Sequence, residues 1–371
     1  MNPKAAIVHD YLVDSGGAER VVIALHERYP DAPIFTSVMD PHTTFAAFRS
    51  MDVRPSFLQR LPVRKSNYKF LLPFFPLAFE SFDLSQYDIV ISSASAFAKG
   101  VIISPDTLHV CYCHTPPRFA WRYHEYVAQE ELGRLQRFFI SIIVHYLRWW
   151  DYAAAQRVDY FISNSQITAR RIQKNYRRDA VVISPPVDVE NFSPCDDIGD
   201  YYLIVSRLAP YKRIDIAVQA FNQLRLLLKI VGAGVDEARL RKMASPNVEF
   251  LGHVPQDQLA NLYARCRAVI FPGAEDFGIV PLEANAAGRP VIAYAAGGAL
   301  ESIVDGVTGA FFRAQTPDAL AQVVTETDTA KFDSHVLREH AEQFSKARFK
   351  ERIASFVEEK WNQARVSDDK G

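Results

Sequence analysis

The sequence predicts an α/β protein built from two doubly wound, parallel-sheet domains. Short apolar runs rich in Val, Ile and Phe alternate with helix-period segments along almost the whole chain. Repeated strand–helix–strand units call for right-handed crossovers and helices on both sheet faces. The length, 371 residues, suggests two or three domains at about 150 residues each, two being simpler. A stretch at 184–200 holding Pro185, Pro186, Pro194 and Gly199 has the turn chemistry of a linker. The expected layout is a first domain over 1–185, a second over 186–343 and a tail over 344–371. Phe344–Ala364 reads as one long polar helix, longer than the second sheet requires, and is expected to cross back onto the first domain.

The strands of the first domain are expected at Ala5–Asp10, Pro33–Val38, Asp88–Ser93, Leu108–Cys113, Tyr160–Ser163 and Val181–Ser184. These runs are rich in Val, Ile and Phe and short enough for parallel strands buried on both faces. Helical periodicity falls between several of them, as at Ala18–Arg28 and Gln166–Tyr176. The second domain is cleaner. Its strands are expected at Tyr202–Ser206, Leu227–Val231, Val248–Leu251, Ala268–Phe271, Pro290–Tyr294 and Gly309–Phe312, with helices near 213–224, 235–244, 256–265, 280–287 and 299–304. In such sheets ligands bind beyond the carboxyl ends of the strands, so a cleft between the two domains is the expected site.

Composition narrows the function classes. Apolar residues make up 49% and charged residues 23%, the balance of a globular protein with ample core. With 42 Lys+Arg against 43 Asp+Glu the net charge is -1, which removes a nucleic-acid-coating role. Residues 1–184 hold 21 basic and 17 acidic residues and the remainder 21 and 26, so the first half is basic and aromatic and the second acidic. Cys111, Cys113, Cys195 and Cys266 lack C-x-x-C spacing, as expected in a reducing compartment. Met1–Lys4 runs straight into the first strand without a signal-peptide core. The longest apolar stretch, Phe138–Leu147, is broken by Ser141 and His145 and is far short of the roughly 20 residues of a membrane span. A cytoplasmic protein is expected.

Four loops after strands carry candidate chemistry. Gly16-Gly17 precedes the first helix, where glycines admit either close backbone approach to a ligand or a turn of positive φ. It is not a G-x-G-x-x-G fingerprint, which speaks against a dinucleotide oxidoreductase. Arg207, Lys212 and Arg213 lie within seven residues after a strand and suit either a diphosphate or solvent. In Phe271–Ala284, Glu275 sits in a loop, Gly278 permits an unusual backbone angle, and Pro281 suits the first helical position. The amides of Gly278, Ile279 and Val280 would then meet an anionic or polyhydroxyl ligand, Glu283 is placed to hold a ribose, and Phe277 suits packing. His114 follows Leu108–Cys113; a lone histidine there is either structural or catalytic. Cys111 and Cys113 share one strand face with no further ligand nearby, which argues against zinc.

Together these residues resemble the retaining GT-B glycosyltransferases of family GT4, over nearly the whole chain. Glu275 to Glu283 matches that family's E-x7-E motif, with Phe277-Gly278 inside it. Arg207 and Lys212 match its diphosphate-binding pair, Gly16-Gly17 its donor-facing loop, and His114 its active-site histidine. His9-Asp10-Tyr11-Leu12 through Gly17-Ala18-Glu19-Arg20, with Cys113-His114-Thr115-Pro116-Pro117-Arg118, is similar to the bacterial O-antigen mannosyltransferase subgroup.

The resemblance implies mannosyl transfer from GDP-mannose, with a UDP-sugar donor (glucose or GlcNAc) as the alternative and a non-catalytic sugar-nucleotide-binding subunit as another. It implies front-face attack, with the leaving phosphate helping to deprotonate the acceptor. No cofactor is expected beyond the nucleotide-sugar donor. No metal is expected either: two fixed cations replace one, and the chain has no D-x-D. The implied acceptor is a saccharide, of the undecaprenyl-diphosphate-linked kind. Arg64-Lys65, Lys69–Leu72, Phe74-Phe75, Arg134, Arg137, Arg148 and Trp149-Trp150 combine basic and aromatic residues, which suits either contact with an anionic membrane leaflet or ordinary packing with solvated charges.

Overall fold

Residue-by-residue alternation between two buried faces organises each sheet. The computed structural model describes residues 3–61, 68–123 and 133–368. It divides into one unit of Met1–Pro185 with Phe349–Gly371 and a second of Pro186–Arg348.

The first unit holds seven parallel strands: β1 Ala5–His9, β2 Ile34–Thr36, β3 Val53–Pro55, β4 Ile89–Ala94, β5 Leu108–Cys113, β6 Tyr160–Ser163 and β7 Ala180–Val182. Their order is β3-β2-β1-β4-β5-β6-β7, so the connection reverses direction between β1 and β4. Ala6 and Val8 of β1 pack into one core layer and Ile7 into the other. On β5, Cys111 and Cys113 share the first layer while Val110 and Tyr112 take the second, as period-2 geometry requires. Fully burying each such apolar side chain contributes about 1.5–3 kcal/mol.

The second unit holds β8 Tyr202–Val205, β9 Leu228–Val231, β10 Val248–Gly252, β11 Val269–Phe271, β12 Val291–Tyr294 and β13 Gly309–Phe312. These too are parallel, in the order β10-β9-β8-β11-β12-β13, with the reversal between β8 and β11. Both sheets are thus doubly wound, the fold class the apolar runs predict.

Several details differ from the expectation. Short β3 was not foreseen: Arg54 and Pro55 are exposed and the strand carries no apolar run. The last strand of the first sheet falls at Ala180–Val182 rather than Val181–Ser184. Helices Arg134–Gln156, Pro317–Glu326 and Ser334–Glu342 were also missed. The first of these contains the apolar stretch Phe138–Leu147, which was weighed only as a membrane span and not as a helix. The 184–200 stretch is not a free linker, because Val187, Val189 and Phe192 are buried in the second unit's core. The tail forms a helix over Lys346–Asp368 whose Phe349, Ile353, Phe356 and Val357 pack with Ile7, Ile91 and Val110 in the first unit.

Candidate functional site

In the second unit the loops after β8 and β11 leave the sheet side by side at its reversal point. Gly273 brings them together: a Cβ there would stand 2.9 Å from the Lys212 carbonyl oxygen and 3.1 Å from its Cα. Lys212 and Glu275 form an ion pair, Nζ to Oε1, and both are half-buried. The Lys212 ammonium also lies 5.3 Å from the Tyr211 ring centroid. The guanidinium of Arg207 donates to the Tyr211 hydroxyl at 3.0 Å, so two cations, a phenol and a carboxylate form one cluster. Arg213 stands apart. It adopts a left-handed φ of 53°, and its guanidinium donates to Asp215 and to Gln315, each at 3.2 Å.

The backbone of Glu275 is held by the loop after β12, through Gly298 N–H donating to its carbonyl at 2.8 Å. Gly278 has φ +85°, the left-handed region that favours glycine, as its place in the loop suggested. Helix Val280–Ala286 follows, with Pro281 at its second residue rather than its first. Ile279 and Val280 pack partly against the second unit's core. Phe277 is buried there, 6.0 Å from the Phe344 ring, so as a ligand contact it is reduced to its backbone. Glu283 is also buried, and its Oε2 accepts from the Tyr263 hydroxyl at 2.8 Å. Neither Tyr211 nor Tyr263 was foreseen, because an isolated tyrosine on a helix or turn carries no sequence signal.

In the first unit the corresponding reversal point gathers the ends of β1, β4 and β5. Asp10 is buried, and its carboxylate accepts four backbone N–H groups, from Ser95 (2.5 Å), Ala96 (2.9 Å), Phe97 (2.7 Å) and Ala98 (2.7 Å). It thereby caps the turn after β4. Ser93 Oγ lies 2.8 Å from His114 Nε2 and 3.2 Å from His9 Nδ1, while His9 Nδ1 is 3.1 Å from the Ser93 carbonyl. A carbonyl only accepts, so His9 carries its proton on Nδ1. His114 is half-buried and its own carbonyl accepts from Thr168 Oγ1 at 3.2 Å, which fixes the turn that presents it.

Gly16 caps helix Gly17–Arg28 with φ -114°, so neither reading as a positive-φ turn nor an unusual angle applies. Its N–H donates to Glu19 Oε2 at 3.0 Å, and Glu19 Oε1 lies 4.0 Å from His9 Nε2. The sequence drew attention to His114 and the glycines; Ser93, which joins the two histidines, lay inside an apolar strand and gave no signal.

Among the described residues no group of three His, Cys, Asp or Glu side chains could hold a metal ion. Burial pushes the Cys111 thiol up to about 12, which keeps it protonated. Among the same residues no helix is long and apolar enough to cross a membrane.

Residues 15–191 match the Glycosyltransferase Family 4 model and residues 193–363 the model for Glycosyl transferases group 1. The alpha-1,3/1,6-mannosyltransferase ALG2 of Homo sapiens is 30% identical, over 79% of this chain and 80% of that protein. The chain belongs to glycosyltransferase family 4. This family 4 chain is also 34% identical to the GDP-mannose-dependent alpha-(1-6)-phosphatidylinositol monomannoside mannosyltransferase of Mycolicibacterium smegmatis, over 38% of this chain and 45% of that protein. It spans about half the length of the first curated relatives it matches, among them the D-inositol 3-phosphate glycosyltransferase of Frankia alni (33% identical, 38% of this chain, 43% of that protein). In fold the family 4 chain is similar to Anabaena HepE in complex with UDP and glucose, with TM-score 0.71 at 19% identity over 96% of this chain and 100% of that one. Two Rossmann-like domains of the GT-B type are therefore shared with a solved neighbour.

Proposed function

We propose that the chain is a retaining hexosyltransferase that moves mannose from GDP-mannose onto a lipid-linked saccharide in cell-surface polysaccharide synthesis, at the cytoplasmic face of the membrane. The observation that carries the reading is the Arg207–Tyr211–Lys212–Glu275 cluster at the carboxyl ends of β8 and β11. Mannosyltransferases among the relatives, one of them GDP-mannose-dependent by name, support the choice of donor.

Cleavage of the anomeric C–O bond leaves negative charge on the diphosphate. Arg207 and Lys212 stabilise that charge more in the transition state than in the ground state. Glu275 sets the Lys212 ammonium in position and accepts hydroxyls of the transferred sugar, while the amides of Gly278, Ile279 and Val280 meet the diphosphate. Gly16 and Gly17 let backbone approach the donor. Glu283, oriented by Tyr263, holds the ribose. His114 contacts the sugar near the anomeric carbon. The acceptor hydroxyl attacks from the face the diphosphate leaves, and its proton passes to a phosphate oxygen. Two fixed cations make a metal unnecessary.

A thermal-shift panel of GDP-mannose, GDP, UDP-glucose and UDP-GlcNAc tests the donor, because a ligand that binds only the folded state raises the apparent stability. GDP-mannose and GDP should raise the midpoint and the uridine nucleotides should not; the reverse order overturns the donor assignment. Nucleotide release should require acceptor and be unchanged by EDTA. Release without acceptor points to a hydrolase, and loss with EDTA to a metal enzyme.

A further inference from the structure

Helix Arg134–Gln156 carries two apolar faces. Val144, Leu147, Ala154 and Ala155 are buried in the first unit, where Asp151 is also buried and ion-paired with Lys99. Across the helix a second stripe stands exposed: Leu135 (70%), Phe138, Phe139 (56%), Ile142, Tyr146 and Trp149 (66%). Their spacing of three and four residues keeps them on one side over about four turns. A helix apolar on both sides ordinarily lies inside a large core or a bilayer, and a contiguous exposed patch of this kind marks an interaction surface.

Charge says what covers it. From Leu132 to Trp150 the sequence has no Asp or Glu, and its cations are Arg134, Arg137 and Arg148, with His145 between them. At about 100° per residue Arg137, His145 and Arg148 fall along one flank, between the buried face and the exposed stripe. A cavity of about 460 Å³ opens on the same side, lined by Tyr123, Ser141, Ile142, Val144, His145 and Arg148. The chain adds a further exposed pair, Phe74 and Leu77, one turn from Glu80, whose carboxylate accepts from the Trp150 indole N–H at 2.8 Å. Of the other residues considered for membrane contact, Arg64 and Lys65 lie outside the described residues, as do the side chains of Lys69, Phe70 and Arg134.

We infer that the exposed face of helix Arg134–Gln156 lies in the plane of an anionic lipid bilayer, with its aromatic stripe at the acyl boundary and its arginine flank on the headgroups. An apolar face alone would equally suit a second copy of the chain; an acid-free cationic border favours a negatively charged surface. The inference deepens the proposed function by naming the surface that meets the membrane, and it rests on that reading only for the need to be there. Its test uses neither donor nor acceptor, so the two can fail separately.

The full chain is sedimented with vesicles of phosphatidylcholine alone and with added phosphatidylglycerol. Binding is expected with the anionic vesicles, weakening as salt rises, and accompanied by a blue shift in tryptophan fluorescence that Trp149→Tyr removes. Phe139→Ser/Ile142→Ser/Tyr146→Ser alters only exposed side chains and should lower vesicle affinity about a hundredfold or more, while the thermal midpoint holds. Arg137→Glu should weaken binding to anionic vesicles tenfold or so. Failure of the native chain to bind at low salt overturns the inference. So does undiminished binding of the triple variant, which would put the contact elsewhere. A native dimer that the triple variant turns into monomers, with no vesicle binding by either, would assign the face to a second copy.

Discussion

Each unit contains a lysine–carboxylate ion pair near the reversal point of its sheet, and the two differ in almost everything except chemistry. In the first unit the Lys99–Asp151 pair is sealed, at 1% and 3% side-chain exposure. Lys99 also donates to the Ala96 carbonyl at 2.5 Å, and Asp151 accepts from Trp121 Nε1 at 2.7 Å and from the Tyr176 hydroxyl at 2.8 Å. Burial pushes the Lys99 pKa down, but the charge and hydrogen bond of Asp151 outweigh it and leave the ammonium above its ordinary value. In the second unit Lys212 and Glu275 keep 14% and 23% exposure on loops rather than in a core. A charge that water still reaches can exchange its partner for a ligand. One that is walled in can only hold the fold.

Breaking each pair separates these roles. Lys99→Met leaves a buried carboxylate with two neutral donors and no cation, and should cost about 3–5 kcal/mol of stability in chemical denaturation. Adding Asp151→Asn removes the stranded charge while keeping acceptors for Trp121 and Tyr176, and should recover much of that loss. Affinity for the donor nucleotide should not follow either change. If Lys99→Met is as stable as the native chain, burial is not what distinguishes the two pairs.

Lys212→Ala should do the reverse. A charged hydrogen bond contributes about 1.5–3 kcal/mol, so turnover should fall on the order of ten- to a hundredfold while stability shifts by less than about 1 kcal/mol. Near-normal kcat in a folded variant would remove Lys212 from the chemistry.

How much of this was legible follows from the same contrast. The sheets were readable because buried parallel strands are continuous apolar runs, and β8 to β13 fall almost where those runs lie. Arg207, Lys212 and Glu275 were readable because charges and glycines after strands stand out from such runs. The sealed cluster was not, since Lys99 and Asp151 are 52 residues apart and each resembles a surface charge in its own segment. Nor was Asp10, whose four amide partners lie 85 to 88 residues away. Helix Arg134–Gln156 escaped because its apolar residues were weighed as a continuous stretch, Phe138–Leu147, rather than by their spacing of three and four.

The sealed character of the first unit should also appear as acid sensitivity. Burial, and then the charge of Arg157, push the His109 pKa down to about 3. Its ring is held at Nε2 by Ser92 Oγ at 2.8 Å. Unfolded, the ring titrates near 6.5. Between these values the unfolded chain binds a proton that the folded chain refuses, so His109 gives its full stabilisation above about pH 6.5 and loses it as pH falls towards 3. The slope is about 1.4 kcal/mol per pH unit. His109→Gln should flatten the pH dependence by that amount. Hydrogen exchange should find the acid loss among amides of the first unit; an equal loss in the second would break the contrast.

The smallest effect expected lies where the two characters meet. Glu283 belongs to the candidate donor site yet is buried like Asp10, with one carboxylate oxygen held by Tyr263, itself fully buried and 5.3 Å from the Phe192 ring in an edge-on contact. Tyr263→Phe keeps the ring packing and deletes only the hydroxyl, so it should cost about 1 kcal/mol of stability. If Glu283 grips a ribose, the same deletion removes one of the contacts that orient its carboxylate, and KM for the donor should rise severalfold with kcat nearly constant, the mark of lost uniform binding. A stability loss with KM unchanged would make Glu283 a scaffold residue, and the functional part of the cluster would end at Glu275.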